Sequence, residues 1–474
     1  TTSGVPVRAL ASTHRLGAVT DTAVMTGADV AVALTGTGFE DLLEVIVTSQ
    51  EVGAAKPDPI GLFAAMTALD ATPSETLFVG DADVDEAAAA DAGVAFARID
   101  PCGTDPVDAA VRSALVNLDG PLAAASALVP PVDDEAERAA TVRHRQLTKP
   151  PGSLGRLESL GIQLAAIAGQ VPPPVPRPAA VAVFAADHGV VASGVTPWPQ
   201  EVTSQMVANF VSGGAAINVL ARQAGATVTV IDVGVAADLD AMGITVAPGL
   251  WSRRIRSGTA DLSRGSAMTF TEARAALDLG AEVAASLVGA GARALVTGDM
   301  GIGNTTASAA VIAALTATDA KAVTGRGTGI DDAMFRHKVE LIDKALARLP
   351  ADPDPVLVLS EVGGLEIAAL AGFVVGGASL RVPVVVDGVI AAAALLAAHT
   401  LCPAVLPYVV AGHRSTEPGS SAVLSRLGLD PVIDLGLRLG EGSGACLALA
   451  SLEAAALVLR DMATFEEAHV VNGA

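Results

Sequence analysis

The sequence predicts an α/β fold in which a parallel sheet is covered by helices on both faces, a Rossmann-like three-layer arrangement with a small helical subdomain. From residue 179 onward, short Val-rich runs alternate with alanine-rich helical stretches, and glycines punctuate the runs. Continuous apolar strands of this kind are typical of parallel sheets buried on both faces. The 474 residues are 51% hydrophobic but only 3% aromatic, so Ala, Val and Leu must build the core.

Six runs are predicted as the strands, in chain order: VAVFAAD, TVTVIDVG, ARALVTGD, PVLVLSEVGG, VPVVVDG and AVLPYVVAG. Before them, a charged helix is predicted over residues 133–146 and a second over 154–169, which the proline-rich VPPPVPRP ends. Binding residues in parallel sheets cluster at the carboxyl ends of the strands. The polar residues predicted at those ends are Asp187, Asp232, Asp299, Asp387 and His413.

The first 108 residues read as a separate, partial α/β segment. It contains VRALAST, IVTSQEVGAAKPDP, a helix predicted over 60–69 and TLFVGDADVDEAAAADAGV. These pieces resemble the C-terminal part of haloacid-dehalogenase-like (HAD-like) phosphatases. The resemblance implies that Ser12 or Thr13 binds phosphoryl oxygens, that Lys56 neutralises them, and that Asp81 and Asp85 hold magnesium.

The same segment lacks the DxDx[TV] motif that carries this family's nucleophile, since no such motif precedes Ser12. Because the covalent step needs that carboxylate, we do not expect the segment as given to act as a phosphatase. Magnesium is expected only for an intact domain of this type.

Charge and composition exclude several classes of function. The formal net charge is −22, with 29 basic against 51 acidic residues, which argues against sequence-independent binding to nucleic acid. No apolar run reaches the roughly 18 residues that a membrane span needs, so we expect none. Three widely spaced cysteines indicate neither a disulfide framework nor a zinc site, and a cytoplasmic location is predicted.

A glycine-rich loop in LVTGDMGIGNTTASAA predicts a phosphate site at the start of a helix. Glycine lets the backbone approach an anion, and the first helical turn offers N–H donors in a favourable dipole. The loop lacks the Gly-Lys-Ser/Thr ending of a nucleoside triphosphate site, so a monophosphate without obligatory magnesium is expected. Such loops also serve as plain connectors. The candidate phosphate-binding residues are Gly301, Gly303, Asn304, Thr305 and Thr306.

Eight ordered motifs extend this prediction: KPPGSLGRLE, FAADHGVVASGVTPWPQEVTSQMVANFVSGGAAINVLAR, TGDMGIGNTT, TGRGTGIDD, EVGGLEIAALAGF, VPVVVDGVIAAAALL, AGHRSTEPG and LRLGEGSGACLAL. Together they make residues 113–474 resemble the nicotinate-nucleotide:dimethylbenzimidazole phosphoribosyltransferases, the CobT family. The resemblance implies transfer of phosphoribose from nicotinate mononucleotide to 5,6-dimethylbenzimidazole, yielding α-ribazole 5′-phosphate and nicotinate. It also implies a homodimer that needs no cofactor and has no metal in the transferase domain.

The resemblance also implies roles for individual residues. Glu441 matches the catalytic base, and Asp299 stands where the family usually carries a second catalytic glutamate. Lys338 matches the lysine on the nucleotide phosphate, with Arg326, Gly327 and Thr328 in the loop beside it. The residues implied for the base pocket are Thr196, Trp198, Pro199 and Gln205.

Two other functions stay open at this point. A HAD-type phosphatase fusion would act on a phosphorylated nucleoside, whereas a non-catalytic nucleotide-binding protein would keep the phosphate loop without needing a base. Glu441 distinguishes an enzyme from the latter. The Asp187-His188 pair has no third spaced ligand and is interpreted as structural rather than metal-binding. His413, Ser415 and Glu417 lie too close in sequence for a hydrolase triad and are expected to shape the pocket.

Overall fold

The computed structural model describes residues 15–22, 24–35, 42–73, 76–98, 120–244, 249–327 and 329–471. The chain divides into two compact units, residues 1–131 and 132–474. The predicted strand VRALAST and the candidate residues Ser12 and Thr13 lie outside the described residues.

The first unit contains two small parallel sheets, in which β1 pairs with β2 and β3 with β4. Its elements are β1 (Gly17–Thr20), α1 (Gly27–Ala33), β2 (Val45–Thr48), α2 (Ser49–Val52), α3 (Ile60–Ala68), β3 (Leu77–Gly80), α4 (Asp83–Ala92), β4 (Ala95–Arg98) and α5 (Pro121–Ala127). Ala124 of α5 and Leu128 form an apolar cluster with Leu16 and Val79. Helix α5 therefore belongs to the first unit, which ends at Pro131.

The second unit is built on a six-stranded parallel sheet of order β10-β9-β8-β5-β6-β7, flanked by helices. The elements up to β8 are α6 (Asp134–Gln146), α7 (Arg156–Ala168), β5 (Ala179–Ala186), α8 (Val202–Val211), α9 (Ala216–Ala224), β6 (Thr227–Gly234), β7 (Leu250–Ser252), α10 (Phe270–Gly289) and β8 (Ala294–Met300). The rest are α11 (Asn304–Thr316), α12 (Ala320–Val323), α13 (Asp332–Leu346), α14 (Pro355–Val362), α15 (Leu365–Ser379), β9 (Val384–Val386), α16 (Val389–Leu401), β10 (Val409–Ala411), α17 (Pro418–Leu427) and α18 (Ser443–Asp461). The predicted parallel α/β fold and the helices at 133–146 and 154–169 are confirmed.

Glycines let two helices of the core touch through their backbones. A Cβ on Gly280 of α10 would lie 1.8 Å from the carbonyl oxygen of Ala369, and one on Gly372 of α15 would lie 1.8 Å from that of Leu277. Neither position accepts a side chain, and every residue of α15 is buried. Such close contact between the two helices is possible only with small residues at these positions.

One predicted strand is wrong: PVLVLSEV forms helix α14. Asp354 caps this helix, because its carboxylate accepts the N–H groups of Val356 and Leu357 at 2.8 and 3.1 Å. Pro355 occupies the first helical position, where its missing N–H costs nothing. In AVLPYVVAG, a 3-10 helix (Pro403–Tyr408) precedes the short strand β10.

One helix in the described part of the chain, α18, is long and apolar enough to cross a membrane by length and composition. It is also a core helix here. Ten of its residues, including Leu449, Leu452 and Leu459, are buried within the second unit.

Candidate active site

A cavity of about 360 Å³ opens at the carboxyl ends of β8, β9 and β10. Its lining mixes apolar side chains with three carboxylates, one histidine and one arginine. The lining residues are Trp198, Val202, Met206, Asp299, Met300, Gly301, Ile302, Asn304, Thr305, Gly327, Gly388, Val389, Ile390, His413, Ser415, Glu417, Arg438, Leu439, Gly440 and Glu441. This is the edge of the sheet at which the sequence predicts binding residues.

Glu441 projects from a turn of three consecutive left-handed residues. Gly440, Glu441 and Gly442 have φ values of 83°, 65° and 89°. A Cβ on Gly442 would lie 2.9 Å from the Thr297 carbonyl oxygen, so the turn packs directly on β8. A left-handed glutamate costs about 1 kcal/mol or more, and such strain persists only where the surrounding structure holds it.

The Glu441 carboxylate is buried with little to neutralise it. The residue is 6% exposed, and its Oε2 accepts the N–H of Ile217, in the first turn of α9, at 3.3 Å. Burial raises the pKa of Glu441, and the nearby Asp387 charge adds to this rise, while the Ile217 bond opposes it. A carboxylate with a raised pKa beside an apolar cavity is suited to accept a proton near neutral pH.

Asp299 stands at the end of β8 on the same cavity wall. Its Oδ2 accepts from the side-chain amide of Asn304 at 3.1 Å, and its Oδ1 has no partner among the described residues. Burial raises the pKa of Asp299 well above its ordinary value, and the charges of Asp387, Glu366 and Glu441 raise it further. The Asp299 carboxyl therefore holds its proton more tightly than an exposed aspartate does.

Asp387 supports the turn that carries Glu441. Its Oδ2 accepts the N–H of Gly442 at 3.1 Å, and its Oδ1 accepts the N–H of Ala445 at 2.9 Å. His413 lies 3.3 Å from the same carboxylate. Burial lowers the pKa of His413, but the bond and charge of Asp387 outweigh it and leave that pKa above the ordinary value. The end of β9 thus fixes both the turn and the start of α18.

The glycine-rich loop after β8 leads into α11, as the phosphate prediction requires. Gly303 is the N-cap, with φ 94°. A Cβ on Gly301 would lie 2.3 Å from the Ala186 carbonyl oxygen, which makes glycine obligatory there. Gly301, Asn304 and Thr305 line the cavity, whereas Gly303 and the buried Thr306 lie behind it.

Lys338 of α13 lies under this loop and is 2% exposed. Its ammonium donates to Thr305 Oγ1 at 2.9 Å and to the Gly325 carbonyl oxygen at 3.4 Å. Burial lowers the pKa of Lys338 to about 8, and the charge of Glu417 opposes this shift. The lysine therefore reaches the cavity wall through Thr305.

Of the neighbouring loop, Gly327 faces the cavity and Arg326 does not. The Arg326 guanidinium pairs with Asp332 and donates to the Ile330 carbonyl oxygen at 2.9 Å. It also lies 5.2 Å from the centre of the Phe335 ring. The guanidinium is thus occupied within its own loop and helix, and Thr328 lies outside the described residues.

The structure brings one of the four residues proposed for the base pocket to the cavity. Trp198 lines it and is 48% exposed. Thr196 accepts the N–H of Trp198 at 3.2 Å and, like Pro199, is absent from the lining. Gln205 is exposed on α8, because that helix turns its i, i+4 pair Val202 and Met206 to the cavity instead.

His188 and Glu366 form a wholly buried pair behind the glycine-rich loop. His188 Nε2 lies 2.8 Å from Glu366 Oε1, and both side chains are 0% exposed. Burial lowers the pKa of His188, but the Glu366 charge outweighs it and leaves that pKa above its ordinary value. Asp187 accepts the N–H of Ala236 at 2.7 Å.

In the first unit, Lys56 and Asp85 form an ion pair, and Asp81 lies between strand β3 and helix α4. Lys56 Nζ lies 2.5 Å from Asp85 Oδ1, and Asp85 Oδ2 accepts the N–H of Ala82 at 3.1 Å. Both Asp85 oxygens thus accept hydrogen bonds within the protein. Throughout the described ranges, no group of three or more His, Cys, Asp or Glu side chains is placed to hold a metal ion.

Sequence reasoning missed several lining residues, notably Met206, Arg438 and Leu439. Arg438 is the one lysine or arginine among the lining residues that the structure describes. Arg438 and Leu439 lie three and two residues before Glu441, so their closeness in sequence to the candidate base was the signal that could have identified them.

Comparisons with known proteins agree with this geometry. Residues 129–470 match the family model described as phosphoribosyltransferase, and residues 8–99 match that of haloacid dehalogenase-like hydrolase. A nicotinate-nucleotide–dimethylbenzimidazole phosphoribosyltransferase of Salinispora tropica is 54% identical over 357 residues, covering 73% of this chain and 98% of that relative. A protein of the same name from Chloroflexus aurantiacus is 53% identical over 341 residues, covering 72% of this chain and 95% of that relative.

A solved structure is also similar. The crystal structure of CobT from Thermus thermophilus is 49% identical to this chain, with a TM-score of 0.69, and the match covers 72% of this chain and 100% of that one. Both resemblances inferred from the motifs are confirmed.

Proposed function

The chain belongs to the nicotinate-nucleotide–dimethylbenzimidazole phosphoribosyltransferase family, and we propose that its second unit performs that reaction. It transfers the phosphoribosyl group of nicotinate mononucleotide to 5,6-dimethylbenzimidazole, giving α-ribazole 5′-phosphate and nicotinate for the cobalamin lower ligand. The printed names of relatives about 50% identical over nearly their full length support this function.

The buried carboxylate of Glu441 is the observation that favours catalysis over simple nucleotide binding. One benzimidazole nitrogen attacks the ribose C1′ while the other loses its proton to Glu441. The C1′–N bond breaks, and its electron pair stays on the pyridine nitrogen, so nicotinate leaves without a new negative charge on its ring. Attack opposite the leaving group converts the β-glycosidic bond into the α bond.

The remaining residues bind and orient the substrates in this proposal. The loop at Gly301, the first turn of α11 at Asn304 and Thr305, and Lys338 hold the 5′-phosphate through N–H donors and positive charge. Asp299 orients the ribose or stabilises the positive charge that builds on the sugar ring as the bond to the pyridine breaks. Trp198 offers an aromatic face to the base ring.

We further propose a cytoplasmic homodimer. Cys446 is a free, buried cysteine, which suits a reducing compartment. The dimer is proposed from the family resemblance.

The direct test incubates the purified chain with nicotinate mononucleotide and dimethylbenzimidazole and separates the products by chromatography. We expect nicotinate and α-ribazole 5′-phosphate in equal amounts, and no nicotinate when the base is omitted. Nicotinate release without base would indicate a hydrolase. Nucleotide binding with no release under any condition would indicate a binding protein. A panel of alternative bases in the same assay measures the acceptor preference.

A further inference from the structure

The buried ammonium of Lys338 is enclosed where three elements meet beside the cavity. From α13 it reaches Thr305, in the first turn of α11, and the carbonyl oxygen of Gly325 in the following loop. Both of these partners are neutral. At 2% exposure the ammonium has lost nearly all of its hydration, which is costly unless an opposite charge compensates.

Glu417 supplies that charge from the start of α17. It is 7% exposed, and its Oε1 accepts the N–H of Gly327 at 2.9 Å. A Cβ on Gly325 would lie 1.7 Å from its Oε2, so the carboxylate rests directly on the loop backbone. Glu417 is therefore fastened to the same 325–327 loop whose carbonyl oxygen contacts Lys338.

The electrostatic surroundings of the Lys338 ammonium contain one charged side chain among the described residues. The described groups that face its ammonium are Thr305 from α11, the Gly325 carbonyl from the loop and Glu417 from α17, and only Glu417 is ionisable. Burial lowers the pKa of Lys338 to about 8, and the Glu417 charge opposes that shift. Without Glu417, the lysine would lose its proton at a lower pH.

We propose that Glu417 is a positioning residue for the nucleotide phosphate, which keeps the Lys338 ammonium charged and holds the 325–327 loop against the cavity. Thr305, Gly327 and Glu417 all line one wall, so the residues that organise Lys338 also border the space for the anion. This inference rests on the proposed function, because it concerns how nicotinate mononucleotide binds.

Two substitutions of Glu417 distinguish the loss of its charge from the loss of its hydrogen bond to the 325–327 loop. Glu417→Gln removes the charge, but its amide oxygen can still accept the Gly327 N–H. Glu417→Ala removes both the charge and the acceptor for the Gly327 N–H. Glu340→Gln, on the exposed side of the helix that carries Lys338, is the matched control.

The experiment measures the dissociation constants of nicotinate mononucleotide and of dimethylbenzimidazole by calorimetry between pH 6.5 and 9. Wild-type nucleotide binding should weaken as pH rises through the Lys338 pKa. In Glu417→Gln this weakening should begin about one pH unit lower, giving up to about tenfold weaker binding near pH 8. Glu417→Ala should lose about a further tenfold at every pH, as expected for a lost charge-assisted hydrogen bond.

Benzimidazole binding should be unchanged in both variants, and Glu340→Gln should match the wild type. An unshifted pH profile in Glu417→Gln, with intact wild-type binding, would overturn this inference alone. Equal weakening of both ligands would also overturn it, since that pattern indicates damage to the fold. Failure of the wild type to bind the nucleotide would overturn the proposed function together with the inference.

Discussion

Replacing Glu441 with glutamine should remove catalysis and leave the protein folded. A lost general base typically lowers turnover 10²- to 10⁴-fold, or about 3–5 kcal/mol at 1.36 kcal/mol per tenfold change in rate. The amide oxygen of glutamine can still accept the Ile217 N–H, which lies 3.3 Å from the carboxylate in the wild type. The turn therefore keeps its contacts, and nucleotide binding should change little.

The Glu441→Gln variant should be at least as stable as the wild type, although its activity is lost. Because burial raises the folded-state pKa of Glu441, the carboxyl stabilises the fold only below its unfolded pKa, and this contribution is lost as pH rises through the folded pKa. At neutral pH the ionised group is thus a cost, which glutamine removes. The melting temperature of the variant should equal or exceed that of the wild type.

The assay is initial-rate measurement of nicotinate release across pH, together with thermal unfolding. Wild-type turnover should fall at acidic pH, with a midpoint above 4.5, the ordinary value for glutamate, because the base must be ionised to accept a proton. The residual turnover of Glu441→Gln should not show this fall at acidic pH. The matched control Glu137→Gln, on the exposed face of α6, should behave as the wild type. Turnover within tenfold of the wild type would refute the assignment of Glu441, whatever the stability.

Two further predictions concern binding and packing. Lys338→Met should raise the KM for nicotinate mononucleotide about tenfold or more without changing that for dimethylbenzimidazole, because a buried cation beside the phosphate is lost; equal increases for both substrates would contradict this. Gly280→Ala should destabilise the second unit by about 3 kcal/mol in urea unfolding, because the new Cβ would lie 1.8 Å from the Ala369 carbonyl oxygen. The control Gly289→Ala, at the end of the same helix with nothing within 4 Å, should be neutral or stabilising, and equal losses at the two positions would argue against a steric cause.

Much of the fold was predictable because strands buried on both faces of a sheet are recognisable in the sequence by their apolar residues. The runs that became β5, β6 and β8 are mostly apolar, which is typical of strands buried on both faces. Helix α14 resembles a strand in sequence because a helix that is apolar around most of its circumference loses the 3.6-residue periodicity of an amphipathic helix. The capping residue Asp354 and the following proline were the only local evidence for a helix there.

The site residues that follow strands were predictable from the sequence. Those on a helix were less so, because the face that a helix turns to the cavity depends on its packing. Asp299 and Glu441 both line the cavity. Gln205 does not, because the phase of α8 is set by distant packing, which places Met206 one residue further along on the cavity side. The support that Asp387 gives to the Glu441 turn joins residues 55 positions apart, and one sequence holds no record of such a bond.

Because the chain has few aromatic residues, tryptophan fluorescence can report on the cavity. The chain has two tryptophans, and Trp198 lines the cavity while Trp251 lies in β7, at the edge of the sheet opposite the β9 and β10 strand ends. A heteroaromatic ring bound against Trp198 should alter its emission, whereas Trp251 contributes a constant background. Trp251→Phe would therefore leave a single tryptophan, whose fluorescence reports occupancy of the cavity, so ligand affinity becomes measurable without any attached dye.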